Sequence, residues 1–151
     1  MLRKGPDAMP HSAFLFAAAL AVLWSVLIAE GYLITSAESP NHLLSLALLV
    51  IHISSFWLIL QITGRGPRFL QAVTASAACG AVVSLASLLL YLMLVPVIGL
   101  QNASSIPVAL QLWLLVVDGH ILSRSIDQHL LVGIAFVMII FFAQLVFYST
   151  F

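Results

Sequence analysis

Five stretches of mostly apolar residues, each long enough to cross a bilayer, dominate the sequence: Ser12 to Thr35, His42 to Thr63, Phe69 to Val95, Ile106 to Asp127 and His129 to Tyr148. A helix crossing a hydrocarbon core of about 30 Å needs roughly 20 apolar residues, so these runs use nearly the whole chain. Composition agrees: 63% of the 151 residues are apolar and 7% are charged, whereas a soluble domain carries about 25% charged residues. The expected fold is therefore all-α: a polytopic membrane protein, one domain over residues 1–151, built as a bundle of five transmembrane helices. Loops this short leave no room for a soluble catalytic domain. Five basic residues balance five acidic ones, which leaves no basic field for nucleic acid. The single cysteine, Cys79, excludes an internal disulfide.

Turn-forming clusters separate the runs: Ala37-Glu38-Ser39-Pro40-Asn41, Gly64-Arg65-Gly66-Pro67-Arg68, and the Pro-, Gly-, Asn- and Ser-containing stretch from Pro96 to Ser105. Between the last two runs there is no strong breaker after Gly119, but charge decides for two spans rather than one. Arg3 and Lys4 precede the first span, Arg65 and Arg68 follow the second, and Arg124 ends the fourth. With five alternating crossings all of these lie on one side, and the positive-inside rule puts the N-terminus in the cytoplasm and the C-terminus outside. The first run exceeds the 7–15 residues of a signal-peptide core, so it reads as a retained anchor. Asn102-Ala103-Ser104, on the outer side, matches a glycosylation acceptor but reads first as a chance tripeptide in a turn.

Helices approach closely in lipid through small residues. Ala13, Ala17, Ala21, Ser25 and Ala29 recur at every fourth position in the first span, as do Ala72, Ser76, Gly80 and Ser84 in the third. Both ladders are expected to pack helices, within the bundle or against a partner protein. Trp24, Trp57 and Trp113 do not all lie at span ends, and read as packing residues.

Ionisable groups inside spans are costly and make candidate sites. Glu30 lies near the outer end of the first span, where it can snorkel or coordinate a proton or cation. His52 lies mid-span with Ser45 and Ser55 on its face. No second histidine at its depth completes a haem site, so a hydrogen bond across the bundle is the better reading. In the fourth span, 100° per residue puts Gln111, Asp118 and Ser125 on one side and His120, Ser123, Arg124 and Asp127 on the other. That second group permits His120–Arg124 contact and Arg124–Asp127 pairing, as a rim with Arg65 and Arg68 at the cytoplasmic face. Asp118 needs a partner inside the bundle or a neutral carboxyl, and Asp118-Gly119 is a candidate kink or unwinding point.

No G-x-S-x-G, H-E-x-x-H or phosphate-binding GKT or GKS motif is present. The GRGPRFLQ stretch leading into a small-residue span, then Pro96, Trp113 and GHILSRSID before a last apolar span, resembles the Yip-domain family of small five-span membrane proteins over the C-terminal half to two thirds of the chain. It is also similar to small inner-membrane proteins of proteobacteria with a like GHIL segment. The resemblance implies a five-helix membrane scaffold and carries over no catalytic residue. Yip-domain trafficking factors meet Rab GTPases through a cytoplasmic N-terminal region, which here is about eleven residues long.

The functional expectation is a non-enzymatic accessory or scaffold subunit of a membrane assembly, without a cofactor, in a bacterial inner membrane. Its partners would be other membrane subunits or a second copy, with anionic lipid at the cytoplasmic face. The alternative is a small transporter or proton-coupled carrier using Glu30, His52 and Asp118. The topology is checked by single-cysteine labelling in a Cys79→Ser background. A cysteine at Gly66 should react only from the cytoplasm and one at Asn102 only from outside; labelling of both from one side would rule out five alternating spans.

Overall fold

The computed structural model describes residues 12–33 and 41–150. Arg3, Lys4 and Glu38, which entered the charge count, lie outside the described residues. The helices are α1 (Ala13–Leu33), α2 (His42–Ile62), α3 (Phe69–Ile98), α4 (Leu100–Ala103), α5 (Ser105–Ser125) and α6 (Leu130–Thr150). A single turn of 3₁₀ helix, Gly66–Arg68, leads into α3. Five helical segments are long and apolar enough to cross a membrane: α1, α2, α3 with its 3₁₀ lead-in, α4 with α5, and α6.

The exterior differs from that of a soluble protein, and polar groups share the interior with the apolar core. Phe14, Leu43, Ile62 and Val97 are more than 70% exposed, while Gln71, Thr74, Ser76, Ser84, Ser87, Asp118, Ser123 and Ser125 are buried. In water such an exterior would be a continuous aggregation surface; in hydrocarbon it is the expected one. The long helix α3 is the centre of the bundle, packed against α1, α5 and α2, and α2 also packs on α6. A core of Phe56, Leu60, Val73, Leu115, Leu122, Val137 and Ile140 ties α2, α3, α5 and α6 together.

The two small-residue ladders have different fates. Ala72, Ser76, Gly80 and Ser84 of α3 are all buried, and Gly80 leaves room for Leu23 of α1, which a Cβ there would meet at 3.4 Å. In α1 the ladder turns away from the bundle: Ala13, Ala17, Ala21 and Ser25 are exposed and Ala29 is half-buried. The leucine side of α1 fills the α3 groove instead, because a groove of small residues accepts a large knob better than a second groove. Trp57 and Trp113 also face outward, at 49% and 60% exposure, contrary to the packing role expected of them.

Boundaries differ from the sequence reading where a breaker falls near a helix end. Pro96 was expected to close the third span, but α3 runs on to Ile98. In the last turn a proline removes only one backbone bond, and the stop comes at Gly99, whose φ of 79° ends the helix. The following stretch winds into α4 rather than an open loop, and Pro107 sits in the first turn of α5, where a missing N–H is tolerated. Asn41 caps α2 by accepting a hydrogen bond from the Leu44 amide at 3.1 Å.

The chain does not unwind at Gly119; α5 is continuous through it. Gly119 instead permits close contact between α5 and α6. A Cβ on Gly119 would lie 2.9 Å from the Ile134 Cα, and one on Gly133 would strike the Gly119 carbonyl oxygen and approach the Ser123 backbone N to 2.8 Å. The backbones of α5 and α6 thus touch, as small residues allow. Gly133→Ala should force them apart at a cost on the order of 1–3 kcal/mol, measured as a lower midpoint of unfolding in a denaturing detergent titration; an unchanged midpoint would contradict the contact.

Candidate functional site

Three spanning helices bring polar side chains to one point. His52 comes from α2, Ser76 from α3 and Asp118 from α5. The Ser76 hydroxyl donates to Asp118 Oδ1 at 2.7 Å, and Ser76 Oγ lies 3.2 Å from His52 Nε2. Asp118 Oδ2 lies 3.8 Å from that same nitrogen. A serine hydroxyl has one proton to give. Since it goes to Asp118, a lone pair of Ser76 faces His52, and Nε2 carries the hydrogen. The result is a directed chain, His52 N–H to Ser76 O–H to the Asp118 carboxylate. With the proton on Asp118 the same three atoms can run in the opposite sense, so the chain is a built path for a proton between a carboxylate and an imidazole. Phe56, one turn along α2, holds the imidazole face at a centroid distance of 4.8 Å.

Serine, histidine and aspartate also make hydrolase triads, but not in this order. There the imidazole lies between the other two, taking the serine proton on one nitrogen and donating to the carboxylate from the other. Here serine lies in the middle and donates to the carboxylate, so the order of the three groups differs from that of the triad.

The cluster forms the floor of a cavity of about 440 Å³ to which all five spanning helices contribute. Leu20, Leu23, Leu27, Leu48, Leu49 and Phe141 form apolar walls, and Ser45, Gln111, Gln144 and Tyr148 add polar atoms. From the floor the lining climbs to Ser45 in the first turn of α2 and Tyr148 in the last turn of α6, away from the end that carries Arg65 and Arg68. Gln144 is held by donating to the Leu48 carbonyl at 3.0 Å. Ser45 and Ser55, which share a helix face with His52, bond instead to carbonyls of their own chain, Asn41 at 3.3 Å and Ile51 at 2.7 Å.

Glu30 does not reach this cluster. It lines a second cavity of about 220 Å³ with Ser87, Val83, Pro107 and Leu110, and Ser87 hydrogen-bonds its carboxyl. Ser84 and Gln111 line both cavities. The three intramembrane ionisable residues thus resolve into a pair and a satellite, with one serine and one glutamine between them. Ser76 is the member that sequence reading missed: it was placed in a packing ladder, and nothing in spacing within one helix shows what a neighbouring helix presents. Among the described residues, no group of three or more His, Cys, Asp or Glu is placed to hold a metal ion.

The arginine rim is built differently from expectation. Asp127 does not pair with Arg124 in its own helix; its carboxylate bonds Arg65 at 2.7 Å and Arg68 at 3.0 Å. The reason lies in the backbone. Helix α5 ends at Ser125, Asp127 takes a left-handed φ of 56°, and the Gln128 amide closes the turn onto the Ser123 carbonyl at 2.9 Å. This turns the side chain off the helix face on which i,i+3 pairing depends and toward the α2–α3 connection. Arg68 also donates to the Ser125 carbonyl at 3.1 Å, one of the acceptors a helix end leaves open. His120 is half-buried and Arg124 is exposed.

No protein-family model, curated protein or solved structure matches the chain.

Hydrogen bonding from Arg68, with the charges of Arg68 and Arg65, holds the Asp127 carboxyl below the ordinary value of 3.8. A carboxylate depressed on folding contributes its stability above its unfolded value and loses it as pH falls through the folded one. The turn should therefore stay closed at neutral pH and loosen below pH 3.8. Amide exchange at Gln128, corrected for its intrinsic pH dependence, should show this loosening, and Asp127→Asn should abolish it.

Proposed function

We propose that the chain is a small proton-coupled carrier in which His52, Ser76 and Asp118 handle the proton. The observation that carries this reading is the hydrogen-bonded chain from His52 through Ser76 to Asp118 at the floor of a cavity shared by all five spanning helices. A carboxylate and an imidazole buried among apolar helices are expensive to keep, and a bundle needing only packing would be better served by leucine. Lining a cavity, the same groups have access to a solute and to a proton. Glu30 serves as an outer acidic station, with Ser84 and Gln111 between it and the floor. The N-terminus lies in the cytoplasm, a reading supported by Arg65, Arg68 and Arg124 belonging to one face, and the membrane is a bacterial inner membrane, as the resemblance to small proteobacterial inner-membrane proteins implies. Arg124, exposed there, is offered to anionic lipid headgroups, a contact worth about 1 kcal/mol per basic residue.

A second reading, an accessory subunit of a membrane assembly, is favoured by a separate observation: Ala13, Ala17, Ala21 and Ser25 are exposed along one side of α1. A smooth stripe turned outward suits a further helix better than it suits lipid alone. The Yip-domain resemblance accords with either reading, since it speaks to architecture.

Proton movement into proteoliposomes under an imposed gradient, followed with a trapped pH-sensitive dye, tests the carrier. Asp118→Asn should lower the flux at least tenfold and Ser76→Ala should lower it as well, with the helical content of both variants unchanged. Flux that is indifferent to Asp118→Asn would overturn the proposal.

A further inference from the structure

The larger cavity combines features that select one chemical class of ligand. Of the residues that line it, only His52, Asp118 and the weakly acidic Tyr148 can ionise, and no lysine or arginine is among them. An anionic ligand would meet the Asp118 carboxylate with no cation to offset it. A bare inorganic cation needs about six or more oxygen ligands, or several retained waters, and finds leucine and phenylalanine on most sides. A neutral polar solute would leave most of its hydrogen-bonding groups against the same apolar walls, at a cost for each. A positive charge attached to an apolar body meets none of these objections. The charge can lie toward the Asp118 end while the body contacts Leu20, Leu23, Leu27, Leu48 and Phe141. At about 440 Å³ the space falls within the roughly 300–1,000 Å³ of small-molecule sites.

We propose that this cavity binds an amphipathic organic monocation, and that the cation and a proton compete for Asp118. This names a substrate class for the carrier of the preceding section and rests on that reading. The competition follows from the geometry. Ser76 donates to one oxygen of Asp118, while the other, 3.8 Å from His52 Nε2, can receive a positive group. The surrounding groups are few. His52 faces the carboxylate from α2, Ser76 and the Cys79 thiol lie on α3, Tyr148 lines the cavity from α6, and Glu30 of α1 lies beyond Ser84 and Gln111. A neutral carboxyl offers a monocation little, so binding should tighten as pH rises through the titration of Asp118 and then level off.

Equilibrium binding of tetraphenylphosphonium to the purified full chain in mild detergent, measured by isothermal titration between pH 5 and 9, tests this. Saturable binding near one per chain is expected, with an affinity that rises with pH by no more than tenfold per unit, the limit for one competing proton. Asp118→Asn should weaken it at least tenfold and flatten the pH profile. Leu27→Trp, which narrows the cavity without touching the carboxylate, should weaken it while keeping the profile. Should Asp118→Asn fail to fold, the wild-type profile decides alone. Binding without pH dependence, binding unaffected by Asp118→Asn, or equal binding of an uncharged alkyl probe of similar bulk would overturn the proposal, the last identifying the cavity as a seat for lipid chains. Asp118-dependent proton flux without saturable cation binding would end this proposal and leave the carrier standing. The converse, pH-linked binding without flux, would end the carrier and leave the site.

Discussion

Hydrocarbon offers no hydrogen bonds, and the interior of this bundle is organised around that fact. A carboxylate at position 118 must find its partners on other helices, and it finds them on two: Ser76 of α3 and His52 of α2. Those contacts fix the rotation of three helices about their own axes at once, because turning any of them would leave a buried polar group facing leucine. Among the described residues, no buried side-chain nitrogen or oxygen lacks a hydrogen-bond partner. The small residues complete the arrangement. Gly119 and Gly133 bring α5 and α6 into backbone contact, and the Ala72 to Ser84 groove admits the leucines of α1.

The spans were legible from hydropathy because the bilayer imposes a length on each helix, whatever the details of packing. The buried ladder of α3 was legible for a related reason: close approach in lipid needs small side chains. What spacing could not supply was direction. A ladder defines a smooth face without saying whether a helix or lipid covers it, and so the α1 ladder, just as regular, turned out to face away. Position 118 was legible as an anomaly, and Gln111 as lying on its side of α5. Ser76 was hidden because serine is unremarkable in a packing ladder until the neighbouring helix presents a carboxylate. Likewise Arg124 looked like the partner of Asp127 only while the helix was assumed to continue; one left-handed residue reassigned the pair.

The interior is also chemically graded. The phenylalanine and leucine core lies toward the arginine end, where Phe56, Leu60, Leu122 and Ile126 close the floor beneath the polar cluster. Above the cluster the packing gives way to a cavity. The polar cluster thus has close packing on its arginine side and open space on the other.

The ion pairs of Asp127 with Arg65 and Arg68 have a mechanical consequence. Joined to them by the Arg68 bond to the Ser125 carbonyl, they stitch the α2–α3 and α5–α6 turns into one buckle at a single end of the bundle. The cavity lining reaches Ser45 and Tyr148 toward the other end. Splaying the helices there would break none of these bonds, as the jaws of a clothes-peg part without undoing its spring. Opening the arginine end first would mean undoing the spring itself.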